Sequence, residues 1–284
     1  MQNISKKWFT EECIECGTAF SLETHEKIHQ EQTPFQKIEI YSTKSFGNLM
    51  VIDGLVMLTE RDNFIYHEMM VHPVLFNHAN PTNVVVVGGG DCGTIREVAK
   101  HTCVQYITQV EIDQRVTQLS EQYFPALCEA NNDPRVELIF DDAIKWMQQA
   151  KDNSIDIIIV DSTDPIGPAK GLFSTPFYQT CIRALKSDGI LVQQSESPLA
   201  HLESIIKPMH ACMRNAGFAN TNLIFFPQPS YPTGWWTATM TSKGNQIPFS
   251  REAAAKQIDF TTQYYNHAIH LGSFAAPQFI KSSL

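Results

Sequence analysis

The chain has few basic residues for its length and no long apolar run. It carries 21 Lys and Arg against 30 Asp and Glu, giving a formal net charge of −9 over 284 residues. Proteins that bind nucleic acids usually present a basic face, so this charge balance argues against that class. No apolar stretch approaches the roughly 18 residues of a membrane-spanning helix. We therefore expect neither a nucleic-acid partner nor a membrane partner.

Signals for secretion and for metal binding are also missing. Two lysines stand near the N-terminus without an apolar segment behind them, so we expect no secretory signal. The 7 cysteines are an odd number scattered along the chain, which favours a reducing, cytoplasmic environment over a disulfide framework. Cys13 and Cys16 form one Cys-x-x-Cys pair, and no second pair completes a zinc site. The 10 histidines include no His-Glu-x-x-His pattern, and we expect no metal.

Two patterns of apolar residues divide the chain. Residues 1–60 contain short alternating runs and an Asp53-Gly54 hairpin signal, which predict a small N-terminal antiparallel β domain. Residues 61–284 open with a helical pattern and then alternate between strands and helices. Such alternation predicts an α/β domain with a doubly wound, mostly parallel sheet. The strands predicted for this domain are 83–87, 105–111, 136–140, 155–161, 189–194, 221–226 and 235–241.

Acidic residues follow four successive predicted strands of this domain. They are Asp91, Glu111, the pair Asp141-Asp142, and the two acids of Asp161-Ser162-Thr163-Asp164. Ligands of open α/β sheets bind at the carboxyl ends of the strands. Carboxylates gathered at one edge would repel one another unless a cation joined them. The pattern therefore predicts a ligand with several positive charges.

A glycine-rich segment indicates what kind of ligand this is. Gly88-x-Gly90-x-x-Gly93 lies between a predicted strand and helix, and Glu111 follows close to the spacing at which a carboxylate binds a ribose. Asp91 lies inside this loop, where its charge would repel a phosphate. An adenosine derivative with a cationic tail, of the S-adenosylmethionine type, fits better. Asp142 could accept a hydrogen bond from an adenine amino group, or it could cap the helix that follows.

Several of these segments resemble one family. They are Gly88–Gly93, Val110-Glu111-Ile112-Asp113, Asp161–Pro168, the stretch Thr59–Met69 and Pro229–Gly234. Together they are similar to the polyamine aminopropyltransferases, over a match that runs from about residue 30 to the C-terminus. The resemblance implies an N-terminal β domain followed by a methyltransferase-like Rossmann domain. It also implies transfer of the 3-aminopropyl group of decarboxylated S-adenosylmethionine to putrescine, giving spermidine and methylthioadenosine.

The same resemblance implies a role for each matching residue. Glu111 would bind the ribose, Asp142 and Ala143 the adenine, and Asp91 with Gln36 and His67 the aminopropyl tail. Asp161 would accept the proton of the attacking amine. Asp164, Tyr66 and Tyr231 would line the diamine slot, and Pro168 would contact the donor from a loop, 165–168, that closes over the slot. The donor is a co-substrate, so no cofactor and no metal are implied. A homodimer or homotetramer is expected.

Three departures from the family pattern and several alternatives stay open. Cys92 and Ala143 each replace a glycine, and both are small enough to be tolerated. Trp235-Trp236 is bulkier than expected beside the diamine slot. The acceptor could therefore be cadaverine, agmatine or spermidine instead of putrescine. A small-molecule methyltransferase and a non-catalytic protein that binds polyamines or nucleosides are the remaining alternatives.

Overall fold

The computed structural model describes residues 7–284, and its N-terminal part is a five-stranded antiparallel sheet. The strands follow chain order from β1 to β5. Their bounds are β1 Trp8–Cys13, β2 Thr18–Gln32, β3 Lys37–Thr43, β4 Asn48–Ile52 and β5 Leu55–Thr59. The predicted N-terminal antiparallel sheet is confirmed. Strand β1 was not predicted, because its inward positions carry Phe9 and the acid Glu11, which hides the apolar alternation.

The remaining strands form one seven-stranded sheet. Its order is β11-β12-β10-β9-β6-β7-β8, with β8, β7, β6, β9 and β10 parallel and β11 and β12 antiparallel at one edge. The bounds are β6 Asn83–Gly88, β7 Tyr106–Glu111, β8 Val136–Phe140, β9 Ile155–Asp161, β10 Leu185–Gln194, β11 Asn222–Pro227 and β12 Trp235–Ser242. The predicted doubly wound, mostly parallel sheet is confirmed.

Helices cover both faces of this sheet. Their bounds are α1 Asn63–Asn77, α2 Gly93–Ala99, α3 Gln114–Tyr123, α4 Ala143–Gln149, α5 Thr175–Ala184, α6 Lys207–Ala216, α7 Glu252–Lys256, α8 His267–Ser273 and α9 Gln278–Lys281. Side chains cap several N-termini: Asp113 accepts from the Arg115 amide, and Ser174 from the Phe177 amide. The sequence patterns did not predict α7 to α9, which are too short to show a helical period.

The packing of the larger sheet explains why the sequence of β9 is almost continuously apolar. From Ile155 to Val160 every residue of β9 is buried, because the strand is central and helices lie on both sides. The two cores on these sides share the strand's residues alternately, with Ile157 on one side and Ile158 on the other. A third core joins β3, β4 and β5 to α3 and the residues after it. Within residues 7–284, no helix combines the length and the apolar character of a membrane span.

The strand order reverses between β6 and β9. Both strands are central, their carboxyl ends lie side by side, and Gly88 is the register partner of Asp161. A crevice outside the strand ends is expected at such a reversal, because the following segments leave towards opposite faces of the sheet. The sheet thus places the glycine-rich loop and the Asp161 segment next to each other.

Candidate active site

The glycine-rich loop packs directly on the end of β9. Gly88 has φ +81°, and a side chain there would overlap the Asp161 carbonyl oxygen. The Gly89 amide donates a hydrogen bond of 2.7 Å to that same carbonyl. At the start of α2, a side chain on Gly93 would overlap the ring of His67. Glycine therefore permits two close approaches that bring the loop, α1 and β9 into one site.

Asp161 is held by two hydroxyl donors. The Tyr66 hydroxyl donates to its Oδ1 over 2.6 Å, and the Thr94 hydroxyl donates to its Oδ2. Burial and the nearby charge of Asp91 raise the pKa of Asp161, although both hydroxyls favour its charged form. Burial and Asp161 in turn raise the pKa of Tyr66 well above its usual value, so the phenol stays a donor. The carboxylate is fixed in place and has a raised proton affinity.

Asp91 forms a buried pair with His67. Their Oδ2 and Nε2 atoms lie 3.2 Å apart, and Oδ1 accepts 2.7 Å from the Gly93 amide. Burial alone would raise the pKa of Asp91, but the charge and hydrogen bond of His67 outweigh it, and the pKa falls. For His67, burial acts to lower the pKa and Asp91 raises it overall. Asp91 is therefore an anion at neutral pH.

Glu111 ends β7 beside the loop. Its Oε1 accepts 2.8 Å from the Asp113 amide, and burial raises its pKa to about 7. The side-chain amide of Gln36, the residue before β3, donates a hydrogen bond of 3.1 Å to the Asp113 carboxylate. Asp113 thus links the N-terminal sheet to the end of β7.

Asp142 caps helix α4. Its Oδ1 accepts 2.9 Å from the Ile144 amide, and Oδ2 lies 3.6 Å from the Lys145 ammonium. Ala143 is the first residue of the helix and is buried. The capping alternative from the sequence thus holds for one oxygen of Asp142, while the side chain also faces the cavity described next.

These residues surround one cavity of about 1010 Å³, part of it open to solvent. Eight of the residues singled out from the sequence line it: Gln36, Tyr66, Asp91, Glu111, Asp142, Ala143, Asp161 and Tyr231. Its remaining lining is mostly apolar and includes side chains of β4, β5 and α3. We call this the first cavity. An apolar cavity with a few convergent acids is the usual form of a small-molecule site.

A second cavity of about 380 Å³ continues from the first. Met57, Tyr66, Ser162, Thr163 and Tyr231 line both cavities. The further lining of the second includes Glu11, Asp164, Gln194 and Trp236. The boundary between the two is aromatic, with the rings of Tyr66 and Tyr231 centred 5.9 Å apart. The Tyr231 hydroxyl donates 2.5 Å to the Met57 carbonyl, so the ring forms part of the wall.

Two buried acids accompany Asp164. Glu11 of β1 accepts 2.6 Å from the Val56 amide, and burial with a contribution from Asp164 raises its pKa to about 7. Glu196 follows β10 and is fully buried, and its Oε1 accepts 3.0 Å from the Gln194 side chain. Burial and then the charge of Asp164 raise the pKa of Glu196 well above its usual value. The second cavity is therefore rich in carboxyl groups that a cation would stabilise.

Comparison with known proteins accounts for this arrangement. Residues 63–251 match the model of the spermine/spermidine synthase domain, and residues 7–60 match that of the spermidine synthase tetramerisation domain. A polyamine aminopropyltransferase of Thioalkalivibrio sulfidiphilus is 61% identical over 282 residues, covering 99% of this chain and 99% of that protein.

The chain belongs to the spermine/spermidine synthase family. It is an aminopropyltransferase, as its relatives are. Solved spermidine synthases have the same fold. One, in complex with the transition-state analogue AdoDATO, superposes with a TM-score of 0.93 at 32% identity, covering 100% of this chain and 96% of that one. The enzyme of Thermotoga maritima gives 0.91 at 32%, with the same coverage. The predicted methyltransferase-like Rossmann fold is thus confirmed.

Two predicted site residues of this family member do not line the first cavity: His67 lies behind Asp91, and Asp164 lines the second cavity instead. The side chain of Pro168 lies outside the described residues. The structure also shows where two of the departures from the family pattern lie, Cys92 in the glycine-rich loop and the Trp235-Trp236 pair. Cys92 is buried with φ +70°, a conformation that glycine adopts at no cost.

The tryptophan pair divides between two environments. Trp236 lines the second cavity, with its ring centred 4.7 Å from that of Tyr231. Its indole nitrogen has no hydrogen-bond partner among residues 7–284. Trp235 packs instead on Phe225 and Phe279, with ring centres 5.8 Å and 6.1 Å away. Only Trp236 can affect what the second cavity accepts.

The sequence patterns missed four polar residues of this site. Thr94 holds Asp161 from the first turn of α2, Glu11 and Gln194 line the second cavity, and Glu196 accepts a hydrogen bond from Gln194. Glu196 had one available signal, since it follows a predicted strand whose carboxyl end faces the site. Glu11 had none, because β1 reaches the cavity only through the packing of the N-terminal sheet on the larger one.

Proposed function

We propose that this aminopropyltransferase transfers the 3-aminopropyl group of decarboxylated S-adenosylmethionine to putrescine, giving spermidine and methylthioadenosine. One observation carries the proposal. Two cavities meet at Tyr66, whose hydroxyl donates to Asp161 in the first cavity, and acids line both cavities. A cationic donor and a dicationic acceptor each need acids in their own cavity, because each carries positive charges that must be compensated separately.

The donor occupies the first cavity. Glu111 accepts hydrogen bonds from the ribose hydroxyls, and Asp142 with Ala143 binds the adenine. Asp91 holds the aminopropyl ammonium, supported by Gln36 and His67. The negative charge of Asp91 also discriminates between donors, because ordinary S-adenosylmethionine carries a carboxylate that Asp91 would repel. The described residues thus favour an aminopropyl donor over a methyl donor.

Putrescine occupies the second cavity. Its distal ammonium lies near Glu11 and Asp164, with Glu196 next to Asp164, and its four-carbon chain runs along the rings of Tyr66 and Tyr231. A buried ammonium requires compensating charge, and Glu11 and Glu196 are buried carboxyl groups whose pKa values are raised by burial and by Asp164. An ammonium bound there would lower the pKa of both carboxyl groups and favour their charged form.

Asp161 accepts the proton of the reacting amine. Putrescine arrives protonated, and an ammonium has no lone pair, so the proton must leave before attack. The amine nitrogen then forms a bond to the methylene carbon next to sulfur. The carbon–sulfur bond breaks and its electron pair neutralises the sulfonium, which leaves as methylthioadenosine. Because the leaving group is already activated, the remaining task of the protein is to align nitrogen, carbon and sulfur.

The test is incubation with decarboxylated S-adenosylmethionine and a panel of amines, with products identified by mass. We expect spermidine and methylthioadenosine in equal amounts, and the highest kcat/KM with putrescine. Cadaverine, agmatine and spermidine serve as acceptors that differ in length and in distal charge. A higher kcat/KM with any of them would overturn the acceptor assignment, and absence of aminopropyl transfer to every amine would overturn the reaction.

A further inference from the structure

The hairpin between β1 and β2 brings two thiols next to a histidine in the segment that follows β10. Cys13 ends β1 and Cys16 lies in the turn before β2. The turn is closed by a 3.2 Å hydrogen bond from the Cys16 amide to the Cys13 carbonyl, and Gly17 follows with φ +64°. His201 lies beyond β10, and its Nε2 is 3.9 Å from the Cys13 sulfur.

The three side chains have the composition and spacing of a metal site. One ligand atom from each of Cys13, Cys16 and His201 lies within 4.8 Å of the other two. Tetrahedral zinc, with bonds of about 2.3 Å to sulfur and about 2.0 Å to nitrogen, needs ligand atoms under about 4 Å apart, so small side-chain rotations suffice. Both thiols are half-buried and free, so an ion can reach them.

A buried carboxylate stands behind the histidine. Glu196 Oε2 lies 3.6 Å from His201 Nδ1, and neither atom has a hydrogen-bond partner among residues 7–284. Glu196 is fully buried and His201 is 8% exposed. Metal-binding histidines commonly donate their second N–H to a carboxylate, which fixes the ring and its tautomer. With Nδ1 facing Glu196, the Nε2 atom of His201 faces the Cys13 thiol.

We propose that Cys13, Cys16 and His201 bind one Zn²⁺, with solvent in the fourth position and Glu196 orienting His201. Thiolate and imidazole ligands favour zinc over magnesium or calcium. The ion joins the β1–β2 hairpin to the segment after β10. It plays no part in the transfer step. The expectation of no metal drawn from the sequence rested on the absence of a second Cys-x-x-Cys pair, and the fold supplies His201 in its place.

The site has a consequence for the second cavity, and this part rests on the proposed function. Glu11 stands two positions before Cys13 on β1, and Glu196 contacts His201. A zinc ion therefore fixes two segments that each carry one of the acids around the distal ammonium of putrescine. The described residues contain a second cluster of possible metal ligands, His78, Asp156 and Asp188. In that cluster a cation is already present, because the Lys186 ammonium lies 2.8 Å from the Asp156 carboxylate.

The experiment measures metal binding in the full-length protein, reduced and stripped with a chelator. After Zn²⁺ is added back and the excess is removed by dialysis, we expect one equivalent of Zn²⁺ per chain by elemental analysis. When Co²⁺ replaces Zn²⁺ in the wild-type protein, we expect a sulfur-to-metal charge-transfer absorption band. This measurement needs no variant. Cys13→Ser and Cys16→Ser should each lose the stoichiometric ion. Cys212→Ser is the matched control, a half-buried free thiol elsewhere, and should retain it.

Glu196→Gln separates the orienting role from ligation. We expect Zn²⁺ affinity to fall by about 10- to 100-fold in competition with a chromophoric chelator, with the stoichiometry unchanged. Substoichiometric Zn²⁺ in the reduced wild-type protein would overturn the proposal, as would equal binding by wild type and both Cys→Ser variants. Because these readouts concern the metal and not turnover, they stand or fall independently of the acceptor assignment.

Discussion

Single carboxylates at this sheet edge differ in proton affinity because their neighbours differ. Asp91 faces the His67 ring and has a lowered pKa, whereas Asp161 faces hydroxyls and the Asp91 charge and has a raised one. Groups whose pKa values are pushed apart in one site usually have different roles. We assign a permanent charge to Asp91 and proton transfer to Asp161, and each assignment can be tested separately.

Asp161→Asn should remove turnover while leaving nucleoside binding almost intact. The amide keeps the shape of the side chain but cannot accept a proton, so we expect kcat to fall by about 10²- to 10⁴-fold or more. The affinity for methylthioadenosine should change by only a few-fold, measured by calorimetry. Asp141→Asn, an exposed acid at the end of β8, is the control and should retain activity. Near-normal turnover of the Asp161 variant would contradict the assignment.

Asp91→Asn should weaken the binding of decarboxylated S-adenosylmethionine more than that of the product methylthioadenosine. The aminopropyl ammonium is present in decarboxylated S-adenosylmethionine and absent from methylthioadenosine, so only the donor loses a charge-assisted contact. Such contacts contribute about 1.5–3 kcal/mol, which corresponds to a dissociation constant roughly 10- to 100-fold higher. Calorimetric titration with both ligands gives the comparison. Equal weakening of the two would remove the tail-binding role from Asp91.

Glu111 should make nucleoside binding depend on pH. Its pKa of about 7 in the free protein means that the carboxyl group is largely protonated below that pH. Ribose hydroxyls favour the carboxylate, so binding in acid must release a proton. The dissociation constant of methylthioadenosine should therefore rise as the pH falls below about 7, by up to about tenfold per unit.

The measurement for Glu111 is titration between about pH 5.5 and pH 8 in buffers of different ionisation enthalpy, which counts the released proton. Glu111→Gln is the control, and it should bind more weakly at high pH and lose this part of the pH dependence. An affinity that is constant over the range in the wild-type protein would show that Glu111 is already charged.

Among the elements, the junction between β6 and the glycine-rich loop is the most constrained. Gly88→Ala adds a methyl group that overlaps the Asp161 carbonyl oxygen, at φ +81°. Gly54→Ala is a matched control, because Gly54 has φ +89° and open space around its Cα. The control should lose about 1–2 kcal/mol from backbone strain alone.

The Gly88 variant should lose clearly more stability than the control, because it carries the same strain and a clash. It should also lose donor binding, since the loop must shift away from β9. Denaturant unfolding of both variants, with methylthioadenosine binding as the second readout, measures the difference. Equal losses of stability in the two variants would contradict the close packing of loop and strand.

For the whole molecule, we propose a homodimer or homotetramer. Residues 7–60 match a family model described as a tetramerisation domain, and the same region exposes Trp8, Ile14 and Phe35. Light scattering on the eluting protein should give two or four times the chain mass of 32.1 kDa. A mass of one chain at micromolar concentration would contradict the proposal.

The sequence by itself determined the fold class and half of the site. Strand periodicity fixed the sheet, and acids directly after β6, β7, β8 and β9 had to meet at one edge, because parallel strands end on the same side. The glycine-rich loop could also be predicted from the sequence, because its glycines lie within one short turn between a strand and a helix. The roles of single residues came from resemblance to a family, and they remain predictions until the variants above are measured.

Only the tertiary structure decided which distant segments share the second cavity. Glu11 comes from the N-terminal sheet, Asp164 from a loop after β9, and Gln194 from the end of β10. Cys13 and Cys16 meet His201 in the same way, through the packing of a hairpin against a strand end. No periodicity or spacing relates residues this far apart, because their distance is set by how whole elements pack and not by the geometry of one element.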